Sequence, residues 1–480
     1  MSRTYRALFV LTASVIVILT ILRANAFWQN EAYLDDASGN WTALAKDLTE
    51  GVFYRPLQSP DGYGGSRYFP LHFVLHAGFM TAIGDPIRSG YAVSALSMVL
   101  LMSGVYMLLR KSGAPAVLAV SCATFVLAAR PAQESLLAIK GDGLAVALSV
   151  WGVALCAGEA VGLGSLVAAV VFFTLAFAAK ITAVAGLAGA VLWFWLSGRR
   201  RTAAGVLLAS GAGMALVAGV IYVGSHGVAL DVLRVSASGG ATARDILRAP
   251  LTLAKQARRV PETLVFIQLG CAAFLLVLFQ RKTITDLPML YFGGVLAVTT
   301  VIFGSPGTDT NHLLDLHVAS VVLIASWLTV RGLDDFGRAA LLVAVLAAGL
   351  SLGSGLVNAA SEQRRGRFAD VLKLIPDTSR PILAQNPLLP VVAGQRAYLL
   401  DPFLIRVMAE RHAALVEPLW NDFRDQKFAA VVLESDPRDE RARSLYRSAI
   451  LGQRFLEEME RNYEVAGAVG ARTVYLPRPR

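Results

Sequence analysis

The sequence predicts a polytopic α-helical membrane protein that carries a small water-soluble α/β domain at its C-terminal end. Two observations predict this fold class. First, 55% of the 480 residues are apolar and 16% are charged, whereas soluble proteins carry about 25% charged residues. Second, residues 358–480 hold 19 of the 44 Lys and Arg residues and 16 of the 34 Asp and Glu residues. We therefore predict a membrane domain over residues 1–357 and a soluble domain over residues 358–480.

The composition also argues against several classes of function. The net charge of +10 does not indicate binding to nucleic acid, because the basic residues form no stripe with interleaved aromatic side chains. Cys122, Cys156 and Cys271 each lie inside an apolar run, so they predict neither a disulfide framework nor a zinc motif. The apolar run from Ala7 to Leu22 resembles a secretory signal, but more apolar runs follow it, and we interpret it as a retained first helix.

Eleven apolar runs are candidate membrane spans. A helix needs about 20 apolar residues to cross the hydrocarbon core of a bilayer. Several of these runs are shorter, so we expect some tilted or partly re-entrant helices. The predicted spans lie near residues 7–27, 89–109, 114–129, 143–158, 163–179, 182–197, 202–223, 263–279, 287–303, 316–330 and 339–357.

The basic residues between the spans predict their orientation. If the N-terminus lies in the cytoplasm, the basic clusters fall on the cytoplasmic side, as the positive-inside rule requires. An odd number of spans then places residues 358–480 outside the cytoplasm, and the scarcity of cysteine pairs fits a bacterial inner (plasma) membrane. The clusters that support this orientation are Arg3 and Arg6, Arg110 and Lys111, Arg199 to Arg201, Arg281 and Lys282, and Arg331 and Arg338.

The first outer loop, residues 28–88, is the longest predicted segment between two spans. It contains the apolar segment 70–84, which is too short to cross the membrane. Counting it as a span would reverse every later span and place basic clusters outside. We therefore predict a helix that lies along, or dips into, the outer interface. Because the cytoplasmic loops are all short, we expect the functional surface to face outward.

Two adjacent carboxylates, Asp35 and Asp36, follow the first span. Ionisable residues at membrane depth are functional candidates, because a charge is costly there. Such a pair just above the membrane suits a general base for an acceptor hydroxyl. It equally suits the coordination of a divalent ion together with an anionic substrate. The structural alternative is a helix cap in a solvated loop.

The same loop holds Arg67 and Tyr68 in a glycine-rich stretch. This composition suits a sugar or phosphate site, because Arg binds phosphate oxygens through two parallel hydrogen bonds. Aromatic residues at the interface are also common membrane anchors. His72 and His76 lie four residues apart, on one face of the predicted helix. No third metal ligand is evident at a suitable spacing, so we favour packing for this pair.

Three later outer segments add polar residues near the ends of spans. Asp142 begins a span, where a carboxylate also stabilises the helix N-terminus. Lys180 interrupts an apolar run, where it either extends its ammonium to the interface or binds a lipid-linked phosphate. Asn311 and His312 lie in a polar loop before the tenth span. Together these acids, bases and aromatic residues predict a pocket at the outer membrane face.

The order of these residues and their membrane side resemble the GT-C class of integral-membrane glycosyltransferases. More narrowly, the chain is similar to the bacterial relatives of protein mannosyltransferases and lipid A aminoarabinose transferases, over its whole length in topology. It departs from the family pattern at Gly39 (an aromatic residue in the family), Phe69 (a second proline) and Lys140 (an arginine). The matching positions are the pair Asp35-Asp36, Tyr68-Phe69-Pro70-Leu71, Arg88 at the start of the second span, Lys140-Gly141-Asp142, Lys180, and Gly307 to Leu314 with Asn311 and His312.

The resemblance implies an inverting glycosyltransferase that moves a hexosyl or pentosyl group from a polyprenyl-phosphate donor to a hydroxyl of a lipid, glycan or protein. It implies Asp35 as the general base, with Asp36 and Asp142 binding sugar hydroxyls or a metal. Nothing in the sequence requires a cofactor or a bound metal, although a divalent cation is compatible with these acids. The developing charge on the phosphate needs cations, for which the candidates are Arg67, Arg88, Lys180 and His312.

Two other classes of protein are alternatives. A transporter or flippase of lipid-linked sugars is expected to show internal repeats and helices broken near the membrane midplane. This sequence shows no repeat, and its polar residues gather at one face. A scaffold protein would not need acids and cations that converge from four loops. We therefore favour the enzyme.

The soluble domain alternates strand-like and helical runs, which predicts a small α/β domain. Asp401 and Glu434 follow apolar runs, where α/β folds often bind ligands, but no glycine-rich phosphate loop is present. We expect the domain to bind the acceptor or to cap the outer pocket. The predicted elements are a first strand region over 381–389 and 391–392, a buried parallel strand over 428–433, an edge strand over 473–476, and helices near 402–413, 418–426 and 439–461.

Overall fold

The structure, a computed structural model, is a bundle of helices joined to a small domain that contains a β-sheet. It describes residues 3–31, 33–158, 160–238, 242–281, 286–305, 308–330, 335–362 and 366–480. The helices of the bundle and its outer loops are α1 (Arg3–Asn30), α2 (Asp36–Thr49), α3 (Pro70–Ile83), α4 (Pro86–Lys111), α5 (Ala116–Phe125), α6 (Arg130–Leu137), α7 (Asp142–Cys156), α8 (Leu163–Ala179), α9 (Ala185–Leu196), α10 (Arg200–Gly224), α11 (Val228–Ser238), α12 (Ala243–Ala257), α13 (Pro261–Arg281), α14 (Leu287–Ile302), α15 (Leu314–Val330) and α16 (Asp335–Glu362).

The chain is a multi-pass membrane protein. Among the described residues, six helices are long and apolar enough to cross a membrane, and a bent pair, Ala116–Ala128 with Arg130–Leu137, gives a seventh candidate. Each predicted span coincides with a helix, but α7, α8, α9 and α14 have only 12 to 17 residues. At 1.5 Å per residue these helices are roughly 18–26 Å long, which is less than the thickness of the hydrocarbon core of a bilayer. The count of eleven spans stays a prediction.

The orientation of the spans and the inner-membrane location also stay predictions. Two of the basic residues used for that orientation, Lys282 and Arg331, lie outside the described residues, as does Gly307 of the family-like stretch before α15. The division between residues 357 and 358 is likewise a prediction, and it falls within α16.

Local sequence signals define the start of the second long helix and the short helix before it. Asp85 caps α4, because its Oδ1 accepts hydrogen bonds from the backbone N–H groups of Ile87 (2.9 Å) and Arg88 (2.8 Å). Pro86 occupies the first helical position, where its missing N–H costs nothing. The helix α3 also begins with a proline, and it ends at Gly84 in the left-handed conformation (φ 78°). The predicted helix over 70–84 is therefore confirmed, and its placement at the interface stays a prediction.

The helix α7 packs against α4, α8 and α9. Its close approach to α8 depends on Gly152, where a Cβ atom would lie 2.5 Å from the Phe173 ring. Most of its residues are buried, including Asp142 at its first position. This packing fixes where the carboxylate of Asp142 lies relative to the end of α8.

The C-terminal domain is built on a four-stranded sheet. The strands are β1 (Ile382–Ala384), β2 (Ala430–Leu433), β3 (Tyr463–Val469) and β4 (Arg472–Pro477), in the spatial order β1-β2-β4-β3. β1 and β2 are parallel, whereas β2 and β3 each pair with β4 in antiparallel fashion. The helices of the domain are α17 (Phe368–Leu372), α18 (Leu388–Val392), α19 (Pro402–Arg411), α20 (Ala413–Arg424), α21 (Glu440–Leu445) and α22 (Gln453–Asn462), with a π-helical turn at Tyr446–Ile450.

The strand predictions are partly confirmed. The predicted buried parallel strand over 428–433 is β2, whose four residues are all buried. The first strand region is shorter than predicted, since β1 ends at Ala384 and α18 follows. Pro387 and Pro390 explain the difference, because proline has no N–H group for strand pairing.

The prediction of 473–476 as an edge strand is wrong. β4 lies between β2 and β3, so β3 forms that edge of the sheet. No sequence pattern predicts β3 clearly, because a bulge between Val465 and Gly467 interrupts the alternation of its side chains. The predicted helix over 402–413 is α19, whereas α20 begins five residues before the predicted start at 418. The predicted run over 439–461 is divided into α21, the π-helical turn and α22, with Gly452 at a positive φ of 86° before α22.

Buried polar contacts dock the first outer loop on the C-terminal domain. Arg55 Nε donates to Asp47 Oδ2 at 2.6 Å, and its Nη1 donates to the Ala397 carbonyl at 2.6 Å. The side chains of Arg55 and Asp47 are only 3% and 2% exposed. Nearby, the Tyr63 N–H donates to the Tyr398 carbonyl at 2.7 Å. This loop therefore connects the membrane helices to the C-terminal domain.

We expect Arg55→Met to loosen this docking, because it leaves the Asp47 carboxylate buried without its partner. Removing one member of a buried ion pair costs about 3–5 kcal/mol. The measurement is the thermal unfolding midpoint in detergent, together with the rate of limited proteolysis of the first outer loop. The control is Lys46→Met, which breaks a more exposed ion pair with Glu50 on the same helix. Equal effects of the two variants would contradict the docking role of Arg55.

Candidate active site

The first carboxylate of the acidic pair begins the helix α2. Asp35 is the N-cap residue, and its Oδ1 accepts hydrogen bonds from the Ser38 N–H at 2.9 Å and the Ser38 hydroxyl at 3.0 Å. Asp at this position satisfies backbone N–H groups that have no partner within the helix. Asp35 therefore caps α2, as the structural alternative expected, and its catalytic role stays a prediction. Its second carboxylate oxygen remains for another partner.

That partner is Lys140, from the loop between α6 and α7. Lys140 Nζ lies 2.6 Å from Asp35 Oδ2, and the two side chains are 15% and 40% exposed. Burial alone would raise the pKa of Asp35, but the Lys140 ammonium and the Ser38 donors outweigh it and hold that pKa below its usual value. Burial would lower the pKa of Lys140, but Asp35 raises it instead. Both groups are therefore charged at neutral pH.

The second carboxylate of the pair contacts the C-terminal domain instead. Asp36 Oδ2 accepts a hydrogen bond from Gln385 Nε2 at 2.7 Å. Burial raises the pKa of Asp36 well above its usual value, and the nearby carboxylates of Glu434, Asp35 and Asp401 raise it further, against the Gln385 hydrogen bond. Two consecutive carboxylates thus have opposite electrostatic environments.

A second polar cluster lies where α7 begins and α8 ends. Lys180 follows α8, and its Nζ donates to Asp142 Oδ1 and lies 3.1 Å from His312 Nδ1. Because an ammonium can only donate, His312 Nδ1 accepts, and the proton of the neutral imidazole is on Nε2. His312 belongs to the 3₁₀ turn Thr310–Leu313 before α15. Three separate segments therefore bring one acid, one cation and one hydrogen-bond donor together.

An aromatic pair lies beside the segment that joins the two polar clusters. The rings of Trp41 and Tyr68 are stacked, with centroids 4.2 Å apart and planes 6° apart. A Cβ atom on Gly141 would lie 2.8 Å from the Trp41 ring, so the glycine between Lys140 and Asp142 permits this close approach. Trp41 is only 5% exposed, so this pair packs the wall beside the two clusters and supports the segment between them.

Arg67 is at the junction with the C-terminal domain. Its Nε lies 4.0 Å from Asp401 Oδ2, and 52% of its side chain is exposed. Asp401 caps α19 by accepting a hydrogen bond from the Phe403 N–H at 3.1 Å. The distance is at the limit for an ion pair and the Arg67 side chain is half exposed, although Asp401 is buried. The contact is therefore weak, and the Arg67 guanidinium is available for an anionic ligand.

Two predicted site residues are not part of these clusters. The Arg88 side chain is 81% exposed, lies 3.8 Å from Asp85 and lines a separate cavity of about 710 Å³, together with Trp28, Tyr91 and Arg367 among others. Asn311 is partly buried beside His312, and in the described part of the chain its side chain makes no hydrogen bond.

The histidine pair of α3 is buried, as the packing interpretation requires. His76 Nε2 lies within hydrogen-bonding distance of the Pro86 carbonyl (2.8 Å) and the Ser89 hydroxyl (3.1 Å). His72 packs against the Trp41 ring. The described residues contain no group of three or more His, Cys, Asp or Glu arranged to hold a metal ion. The metal and cofactor expectations stay predictions.

Sequence reasoning missed Ser38, Trp41 and Gln385. A signal for Gln385 exists, because it follows β1 just as Glu434 follows β2, and the carboxyl ends of parallel strands lie at one edge of a sheet. Ser38 is the third residue after a predicted N-cap, a position that often receives the capping bond. Trp41 had no comparable signal, because an aromatic residue of an amphipathic helix is usually part of the core.

Comparisons with known proteins agree with this architecture. No family model matches the chain, and no curated protein is similar to it in sequence. Among solved structures, the chain is similar to ArnT from Cupriavidus metallidurans bound to undecaprenyl phosphate, with 14% identity, a TM-score of 0.60 and coverage of 97% of this chain and 99% of that chain. It is similar to the oligosaccharyltransferase AglB from Archaeoglobus fulgidus in complex with an inhibitory peptide and a dolichol-phosphate, with 13% identity, a TM-score of 0.58 and coverage of 97% and 74%.

A third similar structure is the arabinofuranosyltransferase AftD from Mycobacteria, with 15% identity, a TM-score of 0.51 and coverage of 100% of this chain and 40% of that chain. Two of these proteins are glycosyltransferases by name, an oligosaccharyltransferase and an arabinofuranosyltransferase, and the other, ArnT, is bound to undecaprenyl phosphate. The chain has the fold of this GT-C class, and the resemblance stated from its sequence is confirmed at the level of the fold.

We expect Lys140→Met to change how stability depends on pH. In the wild type the lowered pKa of Asp35 stabilises the fold above the unfolded-state pKa, and this contribution is lost as pH falls through the folded-state value. Without the ammonium, burial dominates, the pKa of Asp35 rises, and protonation favours the folded state. The variant's loss of thermal stability should therefore be largest at neutral pH and smaller at about pH 4.

The measurement is the unfolding midpoint of both proteins in detergent across this pH range. Lys373→Met is the control, because it breaks an exposed ion pair with Asp370 and should have little effect at any pH. A loss of stability in Lys140→Met that is the same at both ends of the range would contradict the coupling to Asp35.

Proposed function

We propose that the protein is a membrane glycosyltransferase. It transfers a sugar from a polyprenyl-phosphate donor to a hydroxyl of a lipid, glycan or protein acceptor at the outer face of the membrane, with inversion at the anomeric carbon. One observation carries the proposal. The Asp35–Lys140 pair and the Asp142–Lys180–His312 cluster are joined by a single glycine, Gly141, in a protein with the fold of membrane glycosyltransferases.

Asp35 acts as the general base in this proposal. Its carboxylate is ionised at neutral pH, partly exposed and fixed in direction by Ser38 and Lys140. It accepts the proton of the acceptor hydroxyl as that oxygen attacks the anomeric carbon, while the bond from the anomeric carbon to the phosphate oxygen breaks. A general base of this kind accelerates transfer by about 10²–10⁴-fold.

The cations stabilise the leaving phosphate. A departing phosphate monoester gains negative charge, so it needs cations and hydrogen-bond donors more than it needs a proton. Lys180 supplies an ammonium, and His312 supplies its Nε2–H, which the Lys180 contact leaves available. Arg67, exposed at the junction with the C-terminal domain, is a third candidate.

The remaining site residues bind the sugar or the acceptor. Asp36 and Asp142 are suited to accept hydrogen bonds from sugar hydroxyls, and the packed Trp41 and Tyr68 rings support the segment that joins the two clusters. The proposal also includes the predicted orientation, with the N-terminus in the cytoplasm and the C-terminal domain outside it. Arg88 lies apart from both polar clusters and is not used.

The test is transfer of labelled sugar by membranes that contain wild type, Asp35→Asn or Asp36→Asn at matched protein levels. We expect Asp35→Asn to lose transfer by about 100-fold or more. Asp36→Asn should keep measurable transfer with a raised KM, because its amide oxygen still accepts the Gln385 hydrogen bond. The donors are polyprenyl-phosphate sugars offered as a panel.

Wild-type transfer by both variants would contradict the role of Asp35. No transfer by the wild type with any donor of the panel would contradict the enzyme itself, and would favour the transporter or flippase of lipid-linked sugars. A flipping assay in proteoliposomes then tests that second function directly.

A further inference from the structure

One side chain of the C-terminal domain reaches the acidic pair. Gln385 follows β1 and is 5% exposed. Its Oε1 accepts two hydrogen bonds, from the Glu434 N–H at 2.9 Å and from the Tyr446 hydroxyl at 2.8 Å. Its Nε2 donates to Asp36 Oδ2 at 2.7 Å. A single amide therefore connects the sheet of the C-terminal domain to the second carboxylate.

The direction of this amide is fixed by chemistry. A backbone N–H can only donate, so the oxygen of Gln385 must face Glu434, and its NH₂ group must face Asp36. Turning the amide over would bring two donors together at Glu434 and two acceptors together at Asp36. Gln385 is therefore a dedicated donor to this carboxylate.

Asp36 needs such a donor because its other neighbours are acidic. The carboxylates of Asp35, Glu434 and Asp401 all raise its pKa. The cations that pair with two of these acidic neighbours are engaged there, since Lys140 pairs with Asp35 and Arg472 pairs with Glu434 at 2.9 Å. Within the described ranges, Gln385 is the only side chain that donates a hydrogen bond to Asp36.

The residue after Gln385 holds the same segment in place. Asn386 Nδ2 donates to the Leu34 carbonyl at 2.9 Å, and its Oδ1 accepts from the Leu388 N–H at 3.1 Å. This approach depends on Gly39, where a Cβ atom would lie 2.8 Å from both the Leu388 nitrogen and the Pro387 ring. Gly39 is one of the positions where the chain departs from the family-like pattern, so the departure makes room for the C-terminal domain.

We propose that Gln385 is a positioning residue for Asp36, and that the C-terminal domain thereby completes the site that binds the transferred sugar or the acceptor. The inference rests on the proposed function, in which Asp36 accepts a hydrogen bond from a substrate hydroxyl. Gln385 does not touch the substrate. It holds one oxygen of the carboxylate, so that the other is directed to the ligand.

Two substitutions of Gln385 separate positioning from folding. Gln385→Glu keeps the acceptor oxygen for Glu434 and Tyr446 and replaces only the NH₂ group. When protonated, the introduced carboxyl donates to Asp36 as the amide does, and when ionised it repels Asp36. Gln385→Leu has a similar volume and donates at no pH.

The matched control is Gln395→Leu, because the Gln395 side chain follows α18 and bonds to the beginning of β1, the strand that Gln385 follows. Gln395 donates to the Thr378 and Arg380 carbonyls at 2.6 and 2.9 Å and accepts from the Ile382 N–H at 3.0 Å. Its loss should destabilise the C-terminal domain without touching Asp36. A structural effect alone would therefore appear in this variant too.

The experiment has two readouts in reconstituted full-length protein. The first is the pH profile of sugar transfer. We expect a new loss of transfer with rising pH in Gln385→Glu, as the shared proton leaves the two carboxyls. In Gln385→Leu we expect transfer to fall by about 10-fold, and by more at the acidic end of the profile, because the lost hydrogen bond favoured the ionised form of Asp36. Gln395→Leu should keep the wild-type profile.

The second readout does not require transfer. A carbodiimide labels protonated carboxyls, and mass spectrometry of the peptide that contains Asp36 gives the pH midpoint of its labelling. We expect this midpoint to rise by about one pH unit in Gln385→Leu, since the lost donor favoured the ionised form. Gln395→Leu should leave it unchanged.

Wild-type midpoints in both Gln385 variants would overturn the inference, and so would an equal shift in Gln395→Leu. If Gln385→Leu does not fold, Gln385→Glu decides, because it retains both bonds to Oε1. If the wild type transfers no sugar but the midpoint shifts as expected, the proposed function fails and the positioning of Asp36 by Gln385 is upheld.

Discussion

The ion pair between Asp35 and Lys140 is the contact on which the candidate site depends. It joins the first turn of α2 to the loop that leads into α7, and these segments are distant in sequence. Because Asp35 also caps α2, the same carboxylate fixes the start of a helix and the position of a cation. Lys140 is separated from Asp142 only by Gly141, so the pair also positions the second cluster relative to the first. Asp35 thus makes both a local capping contact within α2 and a long-range ion pair with Lys140.

The acidic pair divides its contacts between two parts of the molecule. Asp35 is held by the membrane domain and remains ionised, whereas Asp36 is held by the C-terminal domain in acidic and desolvated surroundings. Adjacent residues at a helix N-terminus point in different directions, so two neighbouring carboxylates can have different partners. Arg55, held by its ion pair with Asp47, donates to the Ala397 carbonyl and so keeps the C-terminal domain against the first outer loop. The site therefore lies at the junction of these parts, and its geometry depends on their docking.

The apolar runs predict the helices well, because their length and composition depend on local sequence alone. They do not predict which short helices cross the bilayer, since α9, with 12 residues, is too short to decide from length. The charge of Lys180 and the imidazole of His312 were enough to select each as a candidate for phosphate binding. Their contact with Asp142 depends on tertiary packing, which the sequence does not show. The choice of Arg88 rested on resemblance, and its exposed position apart from the clusters depends on packing that no local pattern encodes. Gln385 is neutral and is preceded by a very short strand, so its position after β1 becomes a useful signal only when the parallel pairing of β1 and β2 is known.

The central claim is that the cations of the second cluster receive a lipid-linked phosphate. The most direct measurement is an experimental density map of the protein reconstituted with undecaprenyl phosphate. We expect phosphate density within hydrogen-bonding distance of His312 Nε2 and Lys180 Nζ, on the side of the Asp142–Lys180–His312 cluster that faces Asp35. Phosphate density in the separate cavity beside Arg88 and Arg367 instead, with the second cluster empty, would contradict it.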